Sequence, residues 1–325
     1  MAATDARSRS RIKQVLFVMD PLPKLDPVWD NSLALAREMA KHKIATWWAD
    51  APELHFESGR IFAKARRFAP ANKNLFHSAP PVLRDAARFD LILLRKEPPF
   101  DASYLYLTYL LEHIADQVPV VNHPRGIRNA NEKLSILNFQ KWIPETLVTN
   151  SPAQILDFQR RLKSDIVIKP LDQKSGKGVV CLKGKQAGSE AIAKRSTSGG
   201  QFILAQRFLK GRGMQGEKRI VILDGKILTS YEKRPKPGEF RANLSRGGRS
   251  YPAKVSAQEK NLVRALRPYL LREGLLFVGI DVLDGKLIEI NVTSPAGITD
   301  AKDLYPRLAL VEAWADSLEA LASSY

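Results

Sequence analysis

Three oxygen-bearing side chains interrupt two apolar runs near the C-terminus of this 325-residue chain. Val278-Gly-Ile-Asp281 and Glu289-Ile-Asn291 flank Asp284-Gly285, a strong hairpin signal between β-rich segments. Glu289 and Asn291 stand two residues apart, so they share one sheet face whatever the turn. Asp281 depends on the loop. A two-residue turn at Asp284-Gly285 sets it opposite Ile288 and turns it away from Glu289. A three-residue loop Leu283-Asp284-Gly285, with the glycine as a left-handed bulge, turns all three side chains the same way. We expect the three-residue loop. Hard oxygen donors without sulfur or imidazole nearby suit Mg2+, which keeps several waters and shares its shell with substrate phosphates. The plainer alternative is the solvated outer face of an edge hairpin, because Ile280, Val282, Ile288 and Ile290 make a good buried face.

Phosphate calls for cations and for close backbone approach. Lys169 ends the apolar run Asp165–Ile168 and leads through Pro170 into Asp172-Gln-Lys-Ser-Gly-Lys-Gly178. Glycines there let the backbone approach an anion, and lysine supplies a point charge. The loop is no Walker motif, and a solvated strand turn is an equal alternative. Lys133, Arg219 and Arg234 are further cationic candidates, each of which taken alone also reads as a surface ion-pair partner. The whole chain carries 51 Lys and Arg against 34 Asp and Glu, a net +17. Arg207–Arg249 alone holds 12 basic and 4 acidic side chains, interrupted by glycines and prolines. Nucleic-acid readers more often present a basic helix or aromatics alternating with basic residues on a sheet. Charge in and around loops suits a lid that closes over phosphates.

The elements that carry these residues alternate at first. Gln14–Met19, Ile44–Trp48, Asp90–Leu94 and Pro119–Val121 read as strands, with helices over Asn31–Lys41 and Tyr104–Ile114. That order predicts an open α/β layer with a parallel sheet. A short helix is expected over Asn131–Phe139, a strand over Glu145–Val148, a helix over Ala153–Leu162 and a buried strand over Asp165–Ile168. Beyond them the texture becomes antiparallel, with strands at Val179–Leu182 and Phe202–Ala205. Two hairpins share Leu-Asp-Gly-Lys, at 223–226 and 283–286, a repeat we read as turn chemistry. Helices follow at Ser256–Arg272 and Leu308–Leu321, and Gly184–Gly200 reads as a mobile connection.

With these segments in order, the chain resembles bacterial-type glutathione synthetase, a ligase of the ATP-grasp superfamily, from Val15 to about Pro306. The resemblance rests on Met19-Asp20-Pro21, Arg95-Lys-Glu-Pro-Pro-Phe-Asp101, Asn131-Glu-Lys-Leu134, Pro144-Glu-Thr-Leu-Val-Thr149 and Ile168-Lys-Pro-Leu-Asp172. It continues through Ala205-Gln206, Asn243-Leu244 with Gly247-Gly-Arg249, Phe277-Val-Gly-Ile-Asp281 and Glu289-Ile-Asn-Val-Thr-Ser-Pro295. It implies an ATP-grasp fold: a basic tail over 1–13, an N-terminal preATP-grasp α/β domain over 14–128, a central lid domain over 129–210 and an antiparallel catalytic half over 211–325. It implies a reaction that joins γ-glutamylcysteine to glycine through an acyl phosphate at the expense of ATP, with Mg2+ or, in its place, Mn2+. By the same resemblance, Lys133 and Lys169, with Ser175 and Gly176 in the loop, hold ATP phosphates. Gln206, Arg207, Phe208 and Leu209 form the strand beside adenine, Asp281, Glu289 and Asn291 bind the metal, and Arg219 and Arg234 contact the phosphoryl group. Asp20, Arg95, Asn243 and Ser294 are candidates to face the other substrates.

Two segments depart from the family pattern. Asp172-Gln173-Lys174-Ser175-Gly176 replaces a loop that usually reads Asp-Gly-x-Gly-Gly. Ala296-Gly297-Ile298-Thr299-Asp300 replaces Thr-Gly-Ile-Arg-Glu, losing a hydroxyl and a guanidinium that a substrate carboxylate uses. A sister ligase with another acid or amine is therefore one alternative, and a non-catalytic nucleic-acid-binding derivative is another. The resemblance also implies a homotetramer. The single Cys181 excludes an intramolecular disulfide and a cysteine zinc cage. The five histidines (42, 55, 77, 113, 123) lack ligand spacing. No apolar run approaches the roughly 20 residues of a membrane span, and none follows the basic start as a signal peptide requires, so a cytoplasmic protein is expected.

Overall fold

β1 (Gln14–Met19) is apolar without alternation, and its last five residues are buried, as a strand covered on both faces must be. α1 (Asn31–Lys41) follows, its first turn capped by the Asp30 side chain, which accepts from the Leu33 amide. β2 (Ala45–Ala49) pairs with β1 in parallel. The structure is a computed structural model, and it describes residues 12–72, 75–173, 176–184, 188–209, 216–244 and 247–325.

β3 (Leu54–Glu57), β4 (Arg60–Asn72), β5 (Leu75–Ser78) and β6 (Val82–Asp85) have no counterpart in the sequence-based expectation. β4 pairs antiparallel with β2, β3, β5 and β6. It is hard to see in the sequence because two of its four buried positions, Ala63 and Ala65, are small, and the other two, Ile61 and Phe68, stand among lysines and arginines. β7 (Leu91–Arg95) returns beside β1 in parallel, followed by α2 (Ala102–Glu112), β8 (Val120–Val121), which pairs with β7 in parallel, and α3 (Pro124–Asn129). The N-terminal sheet is thus eight-stranded and mixed, rather than purely parallel as its first and last strands predict.

The short helix expected over Asn131–Phe139 is a turn followed by a 3-10 helix over Ser135–Trp142. β9 (Thr146–Thr149), α4 (Pro152–Leu162), β10 (Ile166–Pro170), β11 (Val180–Leu182), α5 (Ser189–Ser196) and β12 (Ile203–Arg207) come next. The four strands form one antiparallel sheet in the order β11-β10-β12-β9. Ile155 and Phe158 of α4 and Ala193 of α5 share a core with Ile166, Ile168 and Ile203 of the sheet. The expected mobile connection Gly184–Gly200 therefore contains a packed helix.

The last sheet runs β15-β14-β13-β16-β17, antiparallel throughout. Its strands are β13 (Glu217–Leu223), β14 (Lys226–Arg234), β15 (Arg249–Pro252), β16 (Phe277–Leu283) and β17 (Lys286–Asn291). α6 (Ala257–Arg272), with Ser256 and Glu259 in a capping box, lies between β15 and β16. α7 (Ile298–Lys302) and α8 (Leu310–Ser323) close the chain.

Leu283 pairs with Lys286, so the second hairpin has the two-residue turn and not the expected three-residue loop. Asp284 (φ 51°) and Gly285 (φ 72°) both take the positive φ of a tight hairpin turn. The extra residue is Ile288, skipped between the pairs Val282–Leu287 and Asp281–Glu289. That bulge restores the parity, so Asp281, Glu289 and Asn291 share a face after all. The first hairpin repeats both devices, with Asp224-Gly225 as its turn and Leu228 skipped.

Asn122, just after β8, stitches the outer sheets together. Its Nδ2 donates to Phe277 O and Val292 O, both at 2.8 Å, and its Oδ1 accepts from Phe277 N at 2.9 Å. Among the described residues no helix is long and apolar enough to cross a membrane.

Candidate functional site

Asp281 lies on β16, beside the central strand of the last sheet, and is only 2% exposed. Arg219 is its neighbour on β13 and closes a fork on it, Nε to Oδ1 at 2.7 Å and Nη2 to Oδ2 at 2.9 Å. The third guanidinium nitrogen donates to Ala296 O at 2.9 Å. Lys233 on β14 adds Nζ to Oδ1 at 2.9 Å and also pairs with Glu217. Asn291 donates to Oδ2 at 3.2 Å and to Gly279 O at 3.1 Å. Gly279 is bare where the guanidinium lies: a Cβ there would stand 2.8 Å from Arg219 Nη1.

Burial alone would raise the Asp281 carboxyl, but Arg219 and Lys233 outweigh it and hold the group well below the usual carboxylate range. Glu217 goes the other way, pushed up by burial and then by the Asp281 charge. Lys233 is raised because these two carboxylates exceed its own burial cost.

Arg234 is not brought to this face. Arg219 pairs with Tyr231 across β13 and β14, so 231 and 233 share its side and 234 takes the other. Arg234 pairs with Glu232 at 2.7 Å and lies 4.4 Å from the Tyr251 ring centroid. Its side chain is 43% exposed, against 6% for Lys233. Sequence reasoning missed Lys233 and Glu217; the signal that finds them is the register of the first hairpin counted from Arg219.

Two lysines approach Glu289 from the central sheet and its approach loop. Lys133 Nζ lies 3.2 Å from the Glu289 carboxylate and donates to Gln173 O at 2.6 Å. Lys169 Nζ donates to Gln206 Oε1 at 2.9 Å and to Ile288 O at 3.4 Å. The bulge thus supplies a carbonyl to a half-buried lysine, whose ammonium is lowered by its loss of solvation despite Glu289 and Glu217 nearby. Gln206 is fixed in turn by Thr146 Oγ1 at 3.0 Å.

Glu132 was not legible as a site residue. Its Oε1 accepts from Val292 N at 3.0 Å, Thr293 N at 3.2 Å and Thr293 Oγ1 at 2.8 Å, and its carbonyl accepts from Ile290 N at 2.9 Å. Burial, and then Glu289, raise its carboxyl. Removing the acceptor with Glu132→Ala strands three donors, each worth about 1–3 kcal/mol, so a loss of roughly 3 kcal/mol is expected. Glu132→Gln keeps an acceptor oxygen and should lose less than half as much, both read from denaturant midpoints.

The other expected residues divide. Gly176 (φ 68°) approaches Asn243, whose Oδ1 would lie 2.5 Å from a Cβ there, and its carbonyl accepts from Arg241 Nη1 at 3.3 Å. Ser175 lies outside the described residues. Arg207 forks onto Glu145 at 2.8 Å twice, and the Phe208 amide donates to Asp165 O at 2.9 Å; Leu209 follows β12. These three lie apart from the Asp281 network, with the Phe208 ring 6.2 Å from Phe240. Asp20 accepts from Lys96 Nζ and from Glu97 N at 3.0 Å. Arg95 is enclosed: it donates to Ser32 Oγ at 3.1 Å and Pro295 O at 2.9 Å, with Trp314 at 5.4 Å. Ser294, beside Pro295, is half-buried.

Asp281, Glu289 and Asn291 present hard oxygen donors of the type that suits Mg2+ on one sheet face across β16 and β17, with both Asp281 oxygens engaged by Arg219, Lys233 and Asn291. The four cationic side chains around them can bind and neutralise phosphate oxygens. Two family models match the chain, the N-terminal domain of prokaryotic glutathione synthetase over residues 14–128 and its ATP-grasp domain over 132–306. A glutathione synthetase of Parasynechococcus marenigrum is 37% identical over 292 residues, 89% of this chain and 94% of the relative. One from Vibrio cholerae is 36% identical over 296 residues, 89% and 92% respectively. Among solved structures, D-cycloserine synthetase DcsG superposes with a TM-score of 0.66 at 16% identity, covering 94% of this chain and 99% of that one. The ATP-grasp ligase PsnB with its minimal precursor gives 0.63 at 16%, covering 95% and 99%. At such identity these two likenesses concern the fold.

Proposed function

This chain belongs to the prokaryotic glutathione synthetase family, and from that premise we propose that it joins γ-glutamylcysteine to glycine, converting ATP to ADP and phosphate and releasing glutathione. The observation that carries this reading is the meeting of Lys133, Arg219 and Lys233 with the Asp281 and Glu289 carboxylates, with Lys169 on the neighbouring Ile288 carbonyl. A carboxylate repels an amine nucleophile, so it must first become an acyl phosphate. That step needs charge stabilisation and positioning, not a covalent protein nucleophile.

Lys133 and Lys169 hold the ATP phosphates in this reading. Gln206–Leu209 border the adenine, with Gln206 also orienting Lys169. Arg219 and Lys233 stabilise charge developing on the transferring phosphoryl group. Asp281, Glu289 and Asn291 hold Mg2+, which when bound supplies Lewis-acid neutralisation of phosphate charge. The Gly176, Arg241 and Asn243 contact links the phosphate loop to the lid, which excludes water from the acyl phosphate. A cytoplasmic setting belongs to the same proposal and is supported by the lone cysteine; a homotetramer rests on family resemblance.

Purified protein with Mg2+, γ-glutamylcysteine and glycine should release ADP only when both substrates are present, with glutathione formed in step. Release with another acid or amine instead would favour a sister ligase, the reading that Ala296 and Thr299 keep in view. Affinity for nucleic acid without turnover would overturn both.

A further inference from the structure

The N-cap of α7 is Gly297 (φ 136°), which has no side chain to cap the helix. The first helical N–H groups would be orphans there, yet they have an acceptor. Asn31, in the first turn of α1 and only 4% exposed, reaches across with Oδ1 to Ile298 N at 2.9 Å and Thr299 N at 3.3 Å. Its Nδ2 donates to Thr299 Oγ1 at 3.1 Å, and that hydroxyl donates on to Trp29 O at 2.8 Å. Arg95 takes the preceding carbonyl, Pro295 O, while its Nε is held by Ser32 Oγ on the same turn of α1.

Between these two clasps lies Ala296, whose carbonyl takes the remaining nitrogen of Arg219. Ala296 itself is exposed, whereas Gly297, Ile298 and Thr299 are buried. The strand of contacts therefore runs from the first turn of α1, through Pro295–Thr299, to the guanidinium that forks onto Asp281. Thr299 does not face open space as a substrate ligand would. Its hydroxyl is consumed in the clasp.

We propose that Asn31 is a positioning residue for acceptor specificity: with Thr299 it fixes the Pro295–Thr299 loop from the N-terminal domain, and through that loop sets where the attacking amine meets the site. This rests on the ligase reading above. Ala296 is the exposed member of the loop beside Arg219, so displacement of the loop disturbs the acceptor side first. The phosphate lysines Lys133 and Lys169 are anchored independently, by Gln173, Glu289, Gln206 and the Ile288 carbonyl.

The test is a split of kinetic constants in the full-length protein. Asn31→Ala should raise the KM for glycine about 10-fold, since misplacement on the order of 1 Å suffices for effects of this size. The KM for ATP should stay within about 2-fold. Thr299→Val should raise the glycine KM less, Thr299→Ser should restore it, and the double variant should be no worse than Asn31→Ala, because both remove parts of one clasp. Equal changes in all KM values, or a lower Tm with the glycine KM unmoved, would overturn the proposal and leave Asn31 a purely structural residue. Hydrogen exchange at the Ile298 and Thr299 amides reads the clasp without any substrate. Unchanged protection in Asn31→Ala refutes the clasp, and absence of glutathione synthesis by the unaltered protein refutes the ligase reading instead.

Discussion

Glu289→Gln is expected to lower glutathione formation by roughly 100- to 1000-fold while the protein stays folded, the range found when one preorganised charge-stabilising group is removed. The carboxylate is half-buried and pairs with Lys133 at 3.2 Å, where Asp281 is held by both Arg219 and Lys233. Lys133 retains its bond to Gln173 O when the charge is lost, so no cation is stranded. Binding of Mn2+ together with a non-hydrolysable ATP analogue, followed by electron paramagnetic resonance, should weaken in parallel. Near-normal turnover, with unaltered Mn2+ binding, would remove Glu289 from the metal shell.

Arg219→Met should strike both stability and turnover. The guanidinium makes the fork on Asp281, a carboxylate without access to solvent. Leaving one partner of such a pair costs about 3–5 kcal/mol, although Lys233 and Asn291 remain in contact and should keep the loss near the lower end. Turnover should fall by a further factor of roughly 1000 once folding is allowed for. Arg219→Lys distinguishes charge from shape. A single ammonium cannot hold both Asp281 oxygens and Ala296 O together, so it should recover much of the stability and little of the rate. Full recovery of the rate would mean that only a positive charge is needed. Urea midpoints and single-turnover ADP formation measure the two effects separately.

The fold was legible wherever strands are apolar on both faces. Gln14–Met19 could be recognised because a doubly covered strand leaves no room for alternation. β4 was not, because lysines and arginines outnumber large apolar residues and two of its four buried side chains are alanine. At the site, residue types pointed to Asp281, Glu289, Asn291, Lys133, Lys169 and Arg219, which the structure brings together. Lys233 and Glu132 stayed hidden for different reasons. Choosing Lys233 over Arg234 requires the register of a hairpin, and one skipped residue reverses that parity. Glu132 acts through backbone amides 160 residues away, a relation no local pattern carries. Asn31 belongs with it, since its partners lie 267 and 268 positions along the chain.

The two skipped residues, Leu228 and Ile288, stand between each hairpin's tip and its charged positions. A tip and a catalytic strand are normally locked in phase, so that lengthening the turn by one residue exchanges inside for outside all along the strand. Here the phase is reset behind the tip. A two-residue turn with one skipped residue sets the charged positions on the face that a three-residue turn without a skip would. The sequence of the turns at Asp224-Gly225 and Asp284-Gly285 is therefore free to drift, while their length and the skip can change by one residue only together. Ile288 makes the stronger case for its own retention, because the carbonyl that the bulge releases from the ladder is the one that receives Lys169. A residue with an unremarkable aliphatic side chain is thus held in place by its backbone, at the point where two sheets meet.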